Sequence, residues 1–148
     1  QGTTPQADGS VSGVAWECTK LMRELKPVVV LSPTPTDYHP DHRVVGSEVD
    51  IACFHASGEI WSQLGEPITI PERWDFAVYC PFADEPNVQL STDIELFDKK
   101  LESIGRFVSQ RQIAAMVENC RNCGPLEYYA ARPFILYDPN DYAGLFEE

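Results

Sequence analysis

The sequence predicts an α/β domain organised around a mostly parallel sheet. Three observations carry this expectation. The run Val28-Val29-Val30-Leu31 is short and wholly apolar, as in strands covered on both faces of a parallel sheet. Segments with apolar residues at helical spacing flank it on both sides. The cluster Asp37-Tyr38-His39-Pro40-Asp41-His42 follows it, at the carboxyl end of a strand, where open α/β sheets keep their chemistry.

Residues Gln1 to Ser12 are rich in Gly, Ser, Thr, Pro and Gln and read as loop. Val14, Cys18, Leu21, Met22 and Leu25 then keep helical spacing until Lys26-Pro27 ends the segment. After the strand, Pro33 and Pro35 mark a turn. A second helix starts near Pro40 or Asp41, because proline and aspartate both suit a first helical turn. Val44, Val45, Val49, Ala52 and Cys53 form its apolar face, and Gly58 closes it.

Ile68-Thr69-Ile70 and the stretch from Trp74 to Tyr79 read as strands separated by Pro71. Thr92 or Asp93 caps a long helix carrying Ile94, Phe97, Leu101, Ile104, Phe107 and Val108, extending to about Val117. Phe134 to Tyr137 is the expected last strand, followed by an acidic tail. A chain of 148 residues is one domain, residues 1–148, with enough length to bury a core.

The formal charge is −12, from 11 Lys and Arg against 23 Asp and Glu. Nucleic acid and anionic lipid surfaces call for clustered cations, so neither is an expected partner. No apolar run approaches the roughly 18–20 residues that span a bilayer, and Gln1 to Ser12 lacks a signal-peptide pattern. The five cysteines, Cys18, Cys53, Cys80, Cys120 and Cys123, are odd in number and scattered, which fits reduced thiols in a cytoplasmic setting. Cys120 and Cys123 have Cys-x-x-Cys spacing but lack a second ligand pair, and they fall where a helix ends.

His39 and His42 are three residues apart, with Pro40 between them. Pre-proline geometry holds His39 extended in the loop, while His42 lies in the first helical turn. The two need not point the same way, so separate roles are more natural than joint chelation. A metal-bound histidine needs its second nitrogen held by an acceptor. A catalytic histidine needs a carboxylate that orients it, which Asp41 or Asp37 could supply. The alternative is that these residues only cap a helix and decorate a turn. A hydrolytic zinc site takes three protein ligands and a water. The remaining histidine, His55, lies about 20 Å down the same helix, at about 1.5 Å per residue. Asp84, Glu85 and Asp138 are conceivable carboxylate ligands from distant loops.

The segment from Leu25 to Leu31 followed by Asp37-Tyr38-His39-Pro40-Asp41-His42-Arg43 resembles the second signature of the LmbE-like (PIG-L) N-acetylglucosaminyl deacetylases. Asp93, Lys99 or Lys100, and Ser109-Gln110 also fall where that family has an Asp, a Lys and a Ser-Gln pair. The similarity covers residues 8 to 137. It implies a Rossmann-like three-layer sandwich, one zinc, and hydrolysis of the acetamide of N-acetylglucosamine-type groups. By position, His42 matches the zinc ligand. His39 matches the histidine that stabilises the tetrahedral intermediate and protonates the leaving amine, and Asp41 matches its carboxylate partner.

The family's first signature, His-Pro-Asp-Asp, supplies two zinc ligands and the general base and does not occur in this sequence. Phe107 stands where relatives often have His, and Ala131 near a position where they often have Glu. The expectation is therefore the C-terminal two-thirds of such a fold without its N-terminal strands. It would work as a zinc-dependent deacetylase when completed by another segment, or as a remnant or interaction module without catalysis. Tyr38 and Arg43 are candidate substrate contacts, each equally explained as ordinary surface packing. Missing strands would expose apolar surface, so a partner chain or a homo-oligomer is expected.

Overall fold

The computed structural model describes residues 4–5, 11–135 and 137–146. Two short strands, β1 (Thr4–Pro5) and β2 (Val11–Ser12), pair antiparallel within the region expected to be loop. The rest of that expected loop, residues 1–3 and 6–10, lies outside the described residues, as does residue 136 of the expected last strand. Helix α1 (Val14–Leu25) leads to β3 (Val29–Pro33) and α2 (Pro40–Ser57). The chain then forms β4 (Glu72–Phe76), β5 (Val88–Ser91), α3 (Ile94–Gly105), α4 (Ile113–Cys123) and β6 (Leu126–Arg132).

The main sheet has the order β3-β4-β6-β5. Only β3 and β4 are parallel; β6 runs antiparallel to both β4 and β5. The fold is thus mixed α/β rather than mostly parallel. The misreading has a physical cause in β6, whose Glu127, Tyr128, Tyr129 and Arg132 lack the apolar signature of a buried strand. The expected strand at Phe134 to Tyr137 begins after this one has ended, and Ile68 to Ile70 is extended without joining the sheet. The expected single long helix divides at residues 106–112 into α3 and α4, with Asp93 Oδ1 accepting from Leu96 N–H at 2.7 Å as the α3 cap.

One sheet face packs under α1 and α2. Met22, Val49, Ala52, Cys53 and Ala56 form its core, joined by Val30, Ile68 and Ile70. Register puts Ser32, Arg73, Asp75 and Arg132 on this same side. Buried Arg73 donates to Ser32 Oγ (3.1 Å) and to Asp75 (2.6 Å) and pairs with Asp50 of α2, while Arg132 reaches Asp75 at 3.1 Å. An ion network therefore ties three strands to α2, which accounts for polar residues in strands that face the core.

On the opposite face Leu31 and Phe76 line a groove of about 530 Å³ with Phe82, Lys100 and Tyr129. β3 is an edge strand among the described residues, and Leu31 is 52% exposed. The expectation that this strand is buried on both faces does not hold, because one edge and one face of it have no covering layer among the described residues.

Gly46 shows how closely α2 approaches the β3 terminus. A Cβ there would lie 2.6 Å from the Pro33 carbonyl oxygen and 3.1 Å from Pro35 N. Since backbone cannot yield as a side chain can, Gly46→Ala is expected to cost roughly 1–3 kcal/mol, despite alanine's better helix propensity. A urea midpoint at or above that of the parent would contradict this packing.

Candidate functional site

The loop between β3 and α2, with the first turn of α2, holds Tyr38, His39, Asp41, His42 and Arg43. His39 is the N-cap of α2, extended at φ −77° and ψ 125° as its position before proline requires. Its Nδ1 accepts the Asp41 N–H at 3.2 Å. That bond places the lone pair on Nδ1, so the neutral ring carries its proton on Nε2. The Asp41 carboxylate is 4.0 Å from the same Nδ1 and its side chain is 87% exposed. The backbone of Asp41, not its carboxylate, is therefore the direct partner of His39 in this conformation.

His42 lies one turn into α2, with ring centroid 4.7 Å from that of His39. The two rings, which need not have pointed the same way, thus meet. Tyr79, just beyond β4, stacks on His42 at 5.4 Å with an interplanar angle of 6°. The parallel pairing of β3 with β4 brings the loops at their carboxyl ends together, and this delivers Tyr79 to the histidines. Nothing in the spacing around Tyr79 marked it, because the Trp74 to Tyr79 segment read simply as strand.

Beneath the rings, Asp37 has no exposed surface. Its carboxylate accepts the His39 N–H at 2.8 Å and the Tyr79 N–H at 3.2 Å. Its Oδ1 also faces His42 Nδ1 at 3.4 Å. Burial pushes the Asp37 pKa up, but the two amides and the His42 imidazole outweigh it and hold the carboxyl below its ordinary value. Arg43 Nη1 contacts the Asp37 carbonyl at 3.4 Å, so it braces the loop, and Tyr38 projects into solvent at 71% exposure.

His42 offers a donor set suited to one position of a divalent-metal site: a nitrogen facing a carboxylate on one side of the ring and a second nitrogen on the other. Among the described residues, no group of three His, Cys, Asp or Glu converges on one point. His55 is remote, in the last turn of α2 and 4.2 Å from the Trp61 ring centroid. Cys120 and Cys123 lie in the last turn of α4 as free thiols.

Burial, and then the charge of Arg23, lower the His55 pKa below its ordinary 6.5. As pH falls through about 6.5 the unfolded chain takes up a proton that the folded chain refuses. The His55 contribution is therefore fully present above that pH and is lost progressively below it, down to the folded value. His55→Gln should flatten this part of the stability profile, as read from urea midpoints between about pH 7.5 and 5.5. An identical slope in the variant would contradict the assignment.

The fold has solved counterparts. The conserved protein TT1542 from Thermus thermophilus superposes with a TM-score of 0.69 at 21% identity, over 85% of this chain and 61% of its own. GalB, the 4-carboxy-2-hydroxymuconate hydratase from Pseudomonas putida KT2440, superposes with a TM-score of 0.65 at 19% identity, over 84% and 60%. The chain spans about three fifths of each of these proteins, and the likeness is one of fold. No family model and no curated protein matches the sequence. No helix among the described residues is long and apolar enough to cross a membrane.

Proposed function

We propose that this loop is part of the active site of a zinc-dependent amide hydrolase of the LmbE-like type, which removes acetyl from an N-acetylglucosamine-type substrate. The observation that carries the reading is the pairing of a carboxylate-braced His42 with the helix-capping His39, 4.7 Å away, at the carboxyl end of β3. In this reading His42 is one zinc ligand, and the others come from a segment bearing His-Pro-Asp-Asp, in the same polypeptide or in a partner. The edge of β3, unpaired among the described residues, and the exposed Leu31 suit a parallel strand delivering that motif.

When bound, zinc would polarise the acetamide carbonyl and make its water acidic enough to attack. The chain's own residues would handle the leaving group's proton. As the imidazolium, His39 would donate Nε2–H toward the developing oxyanion and pass that proton to the departing amine as the C–N bond breaks, returning to the neutral ring, while the attacking water's proton would go to the general-base Asp of the completing segment. Asp41, 4.0 Å from Nδ1, is placed to take over from the backbone amide whenever Nδ1 carries a proton. In this reading Tyr38 and Arg43, from the same loop and helix turn, would be substrate contacts. One of the similar folds, GalB, belongs to a hydratase, so water activation suits this fold.

A second reading rests on the same edge of β3: an interaction module in which a partner strand covers β3 and no chemistry follows. Acetate release from N-acetylglucosamine conjugates, measured with the chain alone and with a His-Pro-Asp-Asp segment supplied, separates the two. The hydrolase reading expects release only with the segment and with zinc. Binding of the segment without release, at any zinc concentration, would favour the module.

A further inference from the structure

We infer that Asp37 is a positioning residue that fixes which nitrogen of His42 is available. The inference rests on the hydrolase reading for its use, though not for its geometry. Asp37 is fully buried and meets three groups on two segments: the His39 amide at 2.8 Å and His42 Nδ1 at 3.4 Å at the start of α2, and the Tyr79 amide at 3.2 Å beyond β4.

A lone pair on His42 Nδ1 would face the carboxylate lone pairs directly, in a place where no water reaches that nitrogen. The proton of the neutral ring therefore belongs on Nδ1, which leaves the lone pair on Nε2. His39 has the opposite arrangement, because its Nδ1 accepts the Asp41 amide. Two rings 4.7 Å apart are thus set to opposite tautomers: His42 presents a lone pair and His39 presents an N–H. One can ligate a cation while the other donates to an oxyanion. The Tyr79 ring, lying 6° from parallel over His42, keeps the imidazole from rotating away, and the Asp37 bond to the Tyr79 amide holds that ring in place.

The test is two-bond ¹H–¹⁵N correlation NMR on the metal-free chain at a pH where both imidazoles are neutral. The wild type should show His42 protonated on Nδ1 and His39 on Nε2. Asp37→Asn should lose the His42 preference, with its two nitrogens moving toward averaged shifts, while circular dichroism reports the fold. Tyr79→Ala should leave the backbone amide bond in place and retain the Nδ1–H form with faster ring motion. Wild-type His42 protonated on Nε2 would overturn the inference even if Asp37→Asn fails to fold, and so would an unchanged tautomer in a folded Asp37→Asn. Neither outcome depends on hydrolysis. An inactive completed protein with the expected tautomers would sink the hydrolase reading and leave the positioning role of Asp37 intact.

Discussion

Arg23→Met is expected to lower folding stability by roughly 3–5 kcal/mol, among the largest effects of any single change in this chain. Arg23 sits in the last turn of α1 and is 4% exposed. Its guanidinium reaches six backbone carbonyls with five N–H groups: Nη2 shares its two hydrogens among His55 (2.9 Å), Gly58 (2.7 Å) and Ile60 (2.7 Å), Nη1 donates to Trp61 (2.7 Å) and Gly65 (2.9 Å), and Nε to Ala56 (3.4 Å). A helix C-terminus leaves carbonyls without partners and carries the negative end of the dipole. One cation answers both needs and fastens the 58–65 segment to α1. Methionine fills much of the volume but donates nothing; the His55, Ala56 and Trp61 carbonyls keep the Gly58, Ile68 and Leu64 N–H donors, so the loss falls on Gly58, Ile60 and Gly65, at about 1–3 kcal/mol for each acceptor left alone and less where water replaces the bond.

Arg23→Lys should recover only part of the difference, since an ammonium has three donors and no planar fork. Urea denaturation checks this: the midpoint should fall sharply in Arg23→Met with the slope unchanged. A loss below about 1 kcal/mol would mean that the carbonyls are hydrated rather than held.

His42→Ala should have the largest effect on activity and little on folding. The side chain contributes a ring stack with Tyr79 and the contact to Asp37, worth at most about 1.5 kcal/mol for the stack. In the completed protein, hydrolysis should fall by more than about 10²-fold, since the groups that merely orient metal ligands are worth about 10–100-fold. His39→Ala should behave differently. It removes the cap that receives the Asp41 amide, at about 1 kcal/mol, and it removes the N–H donor, so turnover falls while metal affinity stays near the parent value.

Much of the layout around the site was legible because local rules govern it. The dihedrals of His39 follow from Pro40, the start of α2 from proline and aspartate in its first turn, and its end from Gly58. What could not be read depends on contacts distant in sequence. Asp37 and Asp41 were equal candidates as histidine partners, and only the approach of the Tyr79 amide, 42 residues away, buries Asp37 and gives it to His42. β6 was hidden because its arginine and glutamate find their partners on β4 and α3: Asp75 and Lys100. β3 read as a doubly covered strand because its composition suits one, yet among the described residues it stands at an edge. That mismatch between composition and burial is what motivates a completing strand.

Zinc content reads out directly whether His42 is a metal ligand and His39 is not. It should be measured on the chain joined to a His-Pro-Asp-Asp segment, as wild type, His42→Ala and His39→Ala. One zinc per completed site is expected in the wild type and in His39→Ala, and none in His42→Ala. Equal zinc in all three proteins would contradict these roles.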